Sequence, residues 1–178
     1  MNIKLTTISL LLSVILLVAP TAAATPVLDS AQYIVNGDIG EVNALKLKLN
    51  YQIDKINSFE PTFTYHEEEI KLQGTWKINF LKSHSQFSTL NLDLSLATPV
   101  KNISLDPAIG LSGELKYTAK NKINWQLDYY FNKPGKKWVY HGGITLPLAS
   151  NNKLLLGIGN SYWYMNETIF DLGLKLEL

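Results

Sequence analysis

The sequence contains no cysteine and no arginine. Without cysteine the chain has no disulfide and no thiolate metal site, and it cannot be a lipoprotein held through a cysteine after its export signal. Without arginine it lacks the planar fork that grips phosphate and carboxylate groups bidentately, so every positive side chain is a lysine. There is no basic block either. Once Lys4 is set aside, positive and negative side chains are equal in number, which removes any electrostatic reason to seek nucleic acid.

Also missing is an apolar run long enough to span a membrane as a helix. The stretch from Ile8 to Ala19 is apolar apart from Ser9 and Ser13, short of the roughly 20 residues such a helix needs. With Lys4 before it and Ala22-Ala23-Ala24 after it, the segment reads as a secretory signal peptide over residues 1–24. Residues 25–178 are then one domain, large enough to bury a core.

What is present, from about Ala44 to the end, is alternation. In Leu45-Lys46-Leu47-Lys48-Leu49-Asn50-Tyr51-Gln52-Ile53-Asp54 apolar and polar residues exchange without exception, and Leu90, Leu92, Leu94 and Leu96 alternate with Asn91, Asp93 and Ser95. Further runs follow at 109–117, 123–131, 138–148, 154–164 and 170–178, with weaker ones at Pro61–Tyr65 and Gln32–Ile39. This period of two is the signature of half-buried strands, and no stretch of similar length has helical spacing. Asn132-Lys133-Pro134-Gly135 and Ser150-Asn151-Asn152 have turn composition. The fold class expected is all-β, a closed antiparallel up-and-down meander barrel of about ten strands, with eight as the alternative.

Alternation alone does not say which face is outside. A membrane barrel turns its apolar rows to lipid, whereas a soluble lipocalin-like barrel would line a cavity with them. The placement of aromatics favours the first reading. Leucine fills the strand middles, while Tyr129, Tyr130, Phe131, Trp138 and Tyr140 bracket one turn and Tyr162, Trp163, Tyr164 and Phe170 another, as expected of rings held at a lipid–water boundary. The polar rows carry lysines and carboxylates of mixed sign, able to pair inside a narrow lumen. Several runs reach the roughly 9–11 residues with which a tilted strand crosses a bilayer.

Phe170-Asp171-Leu172-Gly173-Leu174-Lys175-Leu176-Glu177-Leu178 ends the chain on an alternating leucine-rich strand. In this it resembles the small outer-membrane barrels of the OmpA and OmpX type, whose last strand addresses the insertion machinery, though those usually end in an aromatic and this chain ends in Leu178. The resemblance implies an outer-membrane location, a lipid bilayer and the insertion machinery as partners, a monomer, and both termini on the periplasmic side. Strand number is then even. The aromatic turns fall together on the outer side, and so does the connection from Ala97 to Ala108, the longest expected.

No constellation of reactive groups is evident, so no catalytic, cofactor-binding or metal residue is assigned. His66, His84 and His141 stand apart, none with a second histidine at metal-ligand spacing. His141 lies on a polar row beside Gly142 and Gly143, where the small lipid A deacylases of the outer membrane carry a serine two residues from their histidine. Only His66, beside Glu67, Glu68 and Glu69, is placed like the rim histidines of barrel acyltransferases and omptin-like proteases. Gly143, Gly157, Gly159 and Gly173 fall on the polar side of the last strands, where they make room for bulky neighbours. The function expected is non-enzymatic: envelope structure, adhesion or a narrow channel. The alternative is a soluble periplasmic or secreted barrel that binds a lipid or another apolar ligand.

Overall fold

The computed structural model describes residues 25–38, 41–67, 69–84, 87–101, 103–118, 121–133, 135, 137–149, 151–163, 165 and 167–178. The export signal expected over residues 1–24 lies outside them, as does Tyr164.

Ten strands follow one another: β1 (Val27–Asp38), β2 (Glu41–Gln52), β3 (Asn57–His66), β4 (Glu69–His84), β5 (Phe87–Pro99), β6 (Asp106–Lys116), β7 (Lys122–Tyr130), β8 (Trp138–Pro147), β9 (Asn152–Gly159) and β10 (Ile169–Glu177). Each pairs antiparallel with its neighbours in sequence, and β1 closes the barrel against β10 from Ser30↔Glu177 to Gly37↔Phe170. Closure leaves no sheet edge, so every strand has a backbone partner on both sides. The first strand, expected from Gln32, begins at Val27.

An even strand number puts the start of β1 and the end of β10 on one rim, here called the terminal rim, with the connections that follow β2, β4, β6 and β8. The connections after β1, β3, β5, β7 and β9 form the loop rim. Pro61 sits within β3 where its ladder to β2 is interrupted between Lys48↔Thr62 and Tyr51↔Phe59, the position a residue without an N–H requires.

The leucine rows face outward. Leu94 is 44% exposed while the next residue inward, Asp93, is fully buried. Leu111, Leu127, Leu156, Leu172 and Leu174 are likewise exposed, and Thr62, Thr64, Thr75, Ser112, Asp128 and Asp171 are buried. A water-soluble protein does not carry so continuous an apolar belt. The surface is that of a membrane barrel, and a lipocalin-like cavity lined by leucine is overturned.

Exposed aromatics cluster at the loop-rim margin of this belt, and two stand at the other. Tyr65, Phe131, Trp138, Tyr140 and Phe170 are exposed towards the loop rim, Phe80 and Tyr117 towards the terminal rim. Tyr129 meets Phe131 and Trp138 edge to face, centroids 5.3 and 5.0 Å apart.

Three expectations are corrected. Tyr130 and Tyr162, expected in the girdle, are buried inside the barrel, and Tyr162 lies beyond the end of β9. Ala97 and Ala108 are not loop residues but belong to β5 and β6, paired through Ser95↔Ala108 and Ala97↔Asp106. Their small side chains hide the alternation because they pack beneath Tyr130 and Tyr162. The longest connection between strands is therefore 160–168, not 97–108.

Candidate functional site

The polar rows of all ten strands face one another across a lumen. It encloses a cavity of about 460 Å³, lined from Tyr162 and Trp163 at the loop rim to Asp29 and Glu177 at the terminal rim. Around it the charged side chains are arranged by strand. Lys46 and Lys48 of β2 and Lys71 and Lys77 of β4 form one wall, while Asp93 of β5, Asp128 of β7 and Asp171 of β10 come from the others.

Glu60 of β3 stands within the lysine wall, with its two oxygens 3.6 Å from Lys48 Nζ and 3.4 Å from Lys77 Nζ. Lys77 also lies 3.9 Å from Asp93, whose other oxygen accepts a hydrogen bond from Ser112 Oγ at 3.0 Å. The register Lys77↔Asp93↔Gly110↔Asp128 sets these residues side by side. Gly110 is what makes room for the Asp128 carboxyl, whose Cγ would stand 3.1 Å from a Cβ at that position.

His141 reaches across β9 to Asp171, Nε2 to Oδ2 2.6 Å. Gly157 lies between them: a Cβ there would meet the imidazole Cε1 at 3.0 Å and Asp171 Cβ at 3.3 Å. Near the terminal rim the lysines are matched by carboxylates, Lys122 with Glu114 at 2.6 Å and Lys153 and Lys175 both with Glu177.

The loop rim is built differently. After Gly159 the chain folds into the barrel mouth instead of arching outward. Asn160 makes the turn: its side chain accepts from Tyr140 N at 2.8 Å and donates to the carbonyls of Trp138 and Met165, both at 3.0 Å. The next residues, Ser161 and Tyr162, are buried as a result.

The Tyr162 hydroxyl donates to Asp106, and its ring meets Tyr130 edge-on at 5.3 Å. Lys71 and Lys133 place their ammonium groups 4.3 and 3.4 Å from the ring centroid, a cation–π contact from each. Trp163 stacks on His66 at 4.7 Å and donates its indole N–H to Glu69 at 3.1 Å. Burial and the Asp106 carboxylate push the Tyr162 phenol well above its ordinary value, so the ring stays neutral and keeps its hydroxyl proton. The connection is thus pinned to β3, β4 and β7 and to the residue that opens β6.

The structure gives the three histidines separate places. His66 is buried under Trp163, His84 closes β4, and His141 is paired with Asp171. Among the described residues no group of three or more His, Asp or Glu side chains could hold a metal ion. The residues that sequence reasoning missed are Tyr130, Tyr162 and Trp163 as elements of the mouth. Their one signal was an aromatic cluster, and girdle and mouth share that signal.

No family model matches the chain and no curated protein matches it in sequence. Among solved structures it is similar to the KdgM porin, with a TM-score of 0.58 and 12% identity over 84% of this chain and 99% of that one. The KdgM porin in complex with disordered oligogalacturonate gives 0.57 and 13% over the same shares. Outer membrane protein Omp33 of Acinetobacter baumannii gives 0.50 and 8% over 86% of this chain and 99% of that one. The fold is the one these outer-membrane barrels share. At such identities the likeness is one of architecture, and what this chain's lumen does has to be argued from its own residues.

Proposed function

We propose that the protein is an outer-membrane barrel providing a narrow passage for small or extended polar solutes, partly closed at its outer mouth by the 160–168 connection. One observation carries this reading. The lumen is polar and charged and holds about 460 Å³ of space lined by residues from one rim to the other, where a purely structural barrel of this size would be filled by its own side chains. The likeness to the porin barrels supports a passage more directly than does the resemblance in pattern to the OmpA and OmpX type. That one neighbour has been captured with an oligogalacturonate supports extended polar molecules as the class to test.

In this reading residues 1–24 are the export signal, the leucine belt meets the bilayer, the loop rim faces outward and the barrel is a monomer delivered by the insertion machinery. The protein is not an enzyme. Adhesion is disfavoured because the outer connections are short and residues 160–162 of the longest are buried in the mouth.

Tyr162 holds the constriction, so Tyr162→Ala is the test. Reconstituted in a planar bilayer, the wild type conducts weakly and the variant conducts more. If neither passes current in molar KCl although both fold, the lumen is not a passage.

A further inference from the structure

We propose that Lys46, Thr64 and Lys71 form a binding site for the oxyanion group of a solute, a carboxylate or a phosphate, in the loop-rim half of the lumen. The register brings them together. Lys46 pairs with Thr64 and Thr64 with Lys71, so the three occupy one level on β2, β3 and β4. Adjacent strands lie about 4.8 Å apart, which places the two lysine Cα atoms roughly 10 Å from each other with the threonine between them. All three line the cavity.

Five other lumen lysines have a carboxylate within ion-pair distance: Lys48 and Lys77 share Glu60, Lys122 has Glu114, and Lys153 and Lys175 have Glu177, while Lys133 at the mouth stands over the Tyr162 ring. Lys46 and Lys71 have none among the described residues. Among the described residues Lys71 donates to the neutral Gln73, at 3.1 Å, and faces the Tyr162 ring. Asp171, on the far side of β1 from Lys46, is already paired with His141.

Thr64 supplies the second, independent observation. It is 1% exposed and its hydroxyl has no hydrogen-bond partner among the described residues. A buried hydroxyl left unpaired between the buried Lys71 and the half-buried Lys46 is costly. A bound oxyanion removes all three costs, accepting from Thr64 Oγ1 and from both ammonium groups. Lysines act as point charges, not as planar forks, so the site selects for negative charge on oxygen and not for the shape of one oxyanion. Trp163, whose ring centre is 5.5 Å from Lys71 Nζ, roofs the site.

The proposal rests on the passage reading only for the route by which the anion arrives. It is tested on the full chain folded in detergent and titrated with sodium phosphate and, separately, sodium acetate at constant ionic strength. Calorimetry reads binding, and the change in fluorescence lost in Trp163→Phe locates it. We expect saturable binding of at least one anion, weakened about tenfold by Lys46→Gln or Lys71→Gln, less by Thr64→Val, and unchanged by Lys55→Gln, at an exposed lysine in the connection after β2.

Tighter phosphate than acetate assigns phosphorylated solutes, and the reverse assigns carboxylated ones. If neither anion saturates, or if both lysine variants bind as the wild type does while still folding by gel mobility, the site is overturned. Saturable binding without KCl conductance would sink the passage and leave the site standing. Conductance without binding would do the opposite.

Discussion

Replacing Leu94 by lysine puts a charge on the outer face of the barrel halfway along β5. The side chain is 44% exposed, between Trp76 on β4 and Ile109 on β6. At mid-depth a lysine has no short path to water along its own stem. The cost of such a residue at the bilayer midplane is about 2–4 kcal/mol, a large share of a folded domain's roughly 5–15 kcal/mol. Leu174→Lys, near the middle of β10 and 37% exposed, should cost a similar amount.

Asp93→Asn is the control, one residue away and pointing into the lumen. The amide keeps the volume and still accepts from Ser112, and Lys77 keeps Glu60, so the expected loss is about 1 kcal/mol or less. Stability is read by urea unfolding from lipid vesicles, followed by tryptophan fluorescence and by heat-modifiable gel mobility. A Leu94→Lys protein within about 0.5 kcal/mol of wild type, or an Asp93→Asn protein less stable than it, would refute the outward orientation of the leucine rows.

Glu60→Gln leaves Lys48 without a carboxylate and Lys77 with Asp93 alone. It should cost about 1–3 kcal/mol and shift the reversal potential in a KCl gradient towards anion passage. Gly142 and Gly143 are neighbours with opposite fates: a Cβ at Gly142 meets nothing within 4 Å, while one at Gly143 would stand 2.6 Å from the Leu156 carbonyl. Gly142→Ala should therefore melt as the wild type does, and Gly143→Ala should lose about 1–3 kcal/mol, read by the same unfolding titration. The Tyr162 phenol is raised in the folded barrel, so its contribution is complete below the ordinary tyrosine value near pH 10 and is lost as pH rises through the folded value. Conductance should therefore show no step near pH 10, where an ordinary tyrosine ionises, and a step there that is absent from Tyr162→Phe would show that the phenol is not held protonated.

Much of this architecture is written locally. Alternation of the kind seen in 45–54 and 90–96 specifies a strand and divides its side chains into two faces, because successive residues of an extended chain point in opposite directions. The turn composition at 132–135 and the leucine-rich last strand belong to the same local code. Ala97 and Ala108 escaped it because alanine marks neither face.

Which face looks inward is not a local property, since the same alternation serves a barrel in water and a barrel in lipid; closure of β1 on β10 and the packing of ten polar rows into one lumen decided it. The mouth was decided in the same way. Tyr130 and Tyr162 have the composition of girdle residues, and only the inward turn at Asn160 carries Tyr162 between Lys71 and Lys133. The row of Lys46, Thr64 and Lys71 depends on the register of three strands, a sum of contacts between residues far apart in sequence. Periodicity is read one strand at a time, but pairing, closure and the field inside the barrel exist only once all the strands have met.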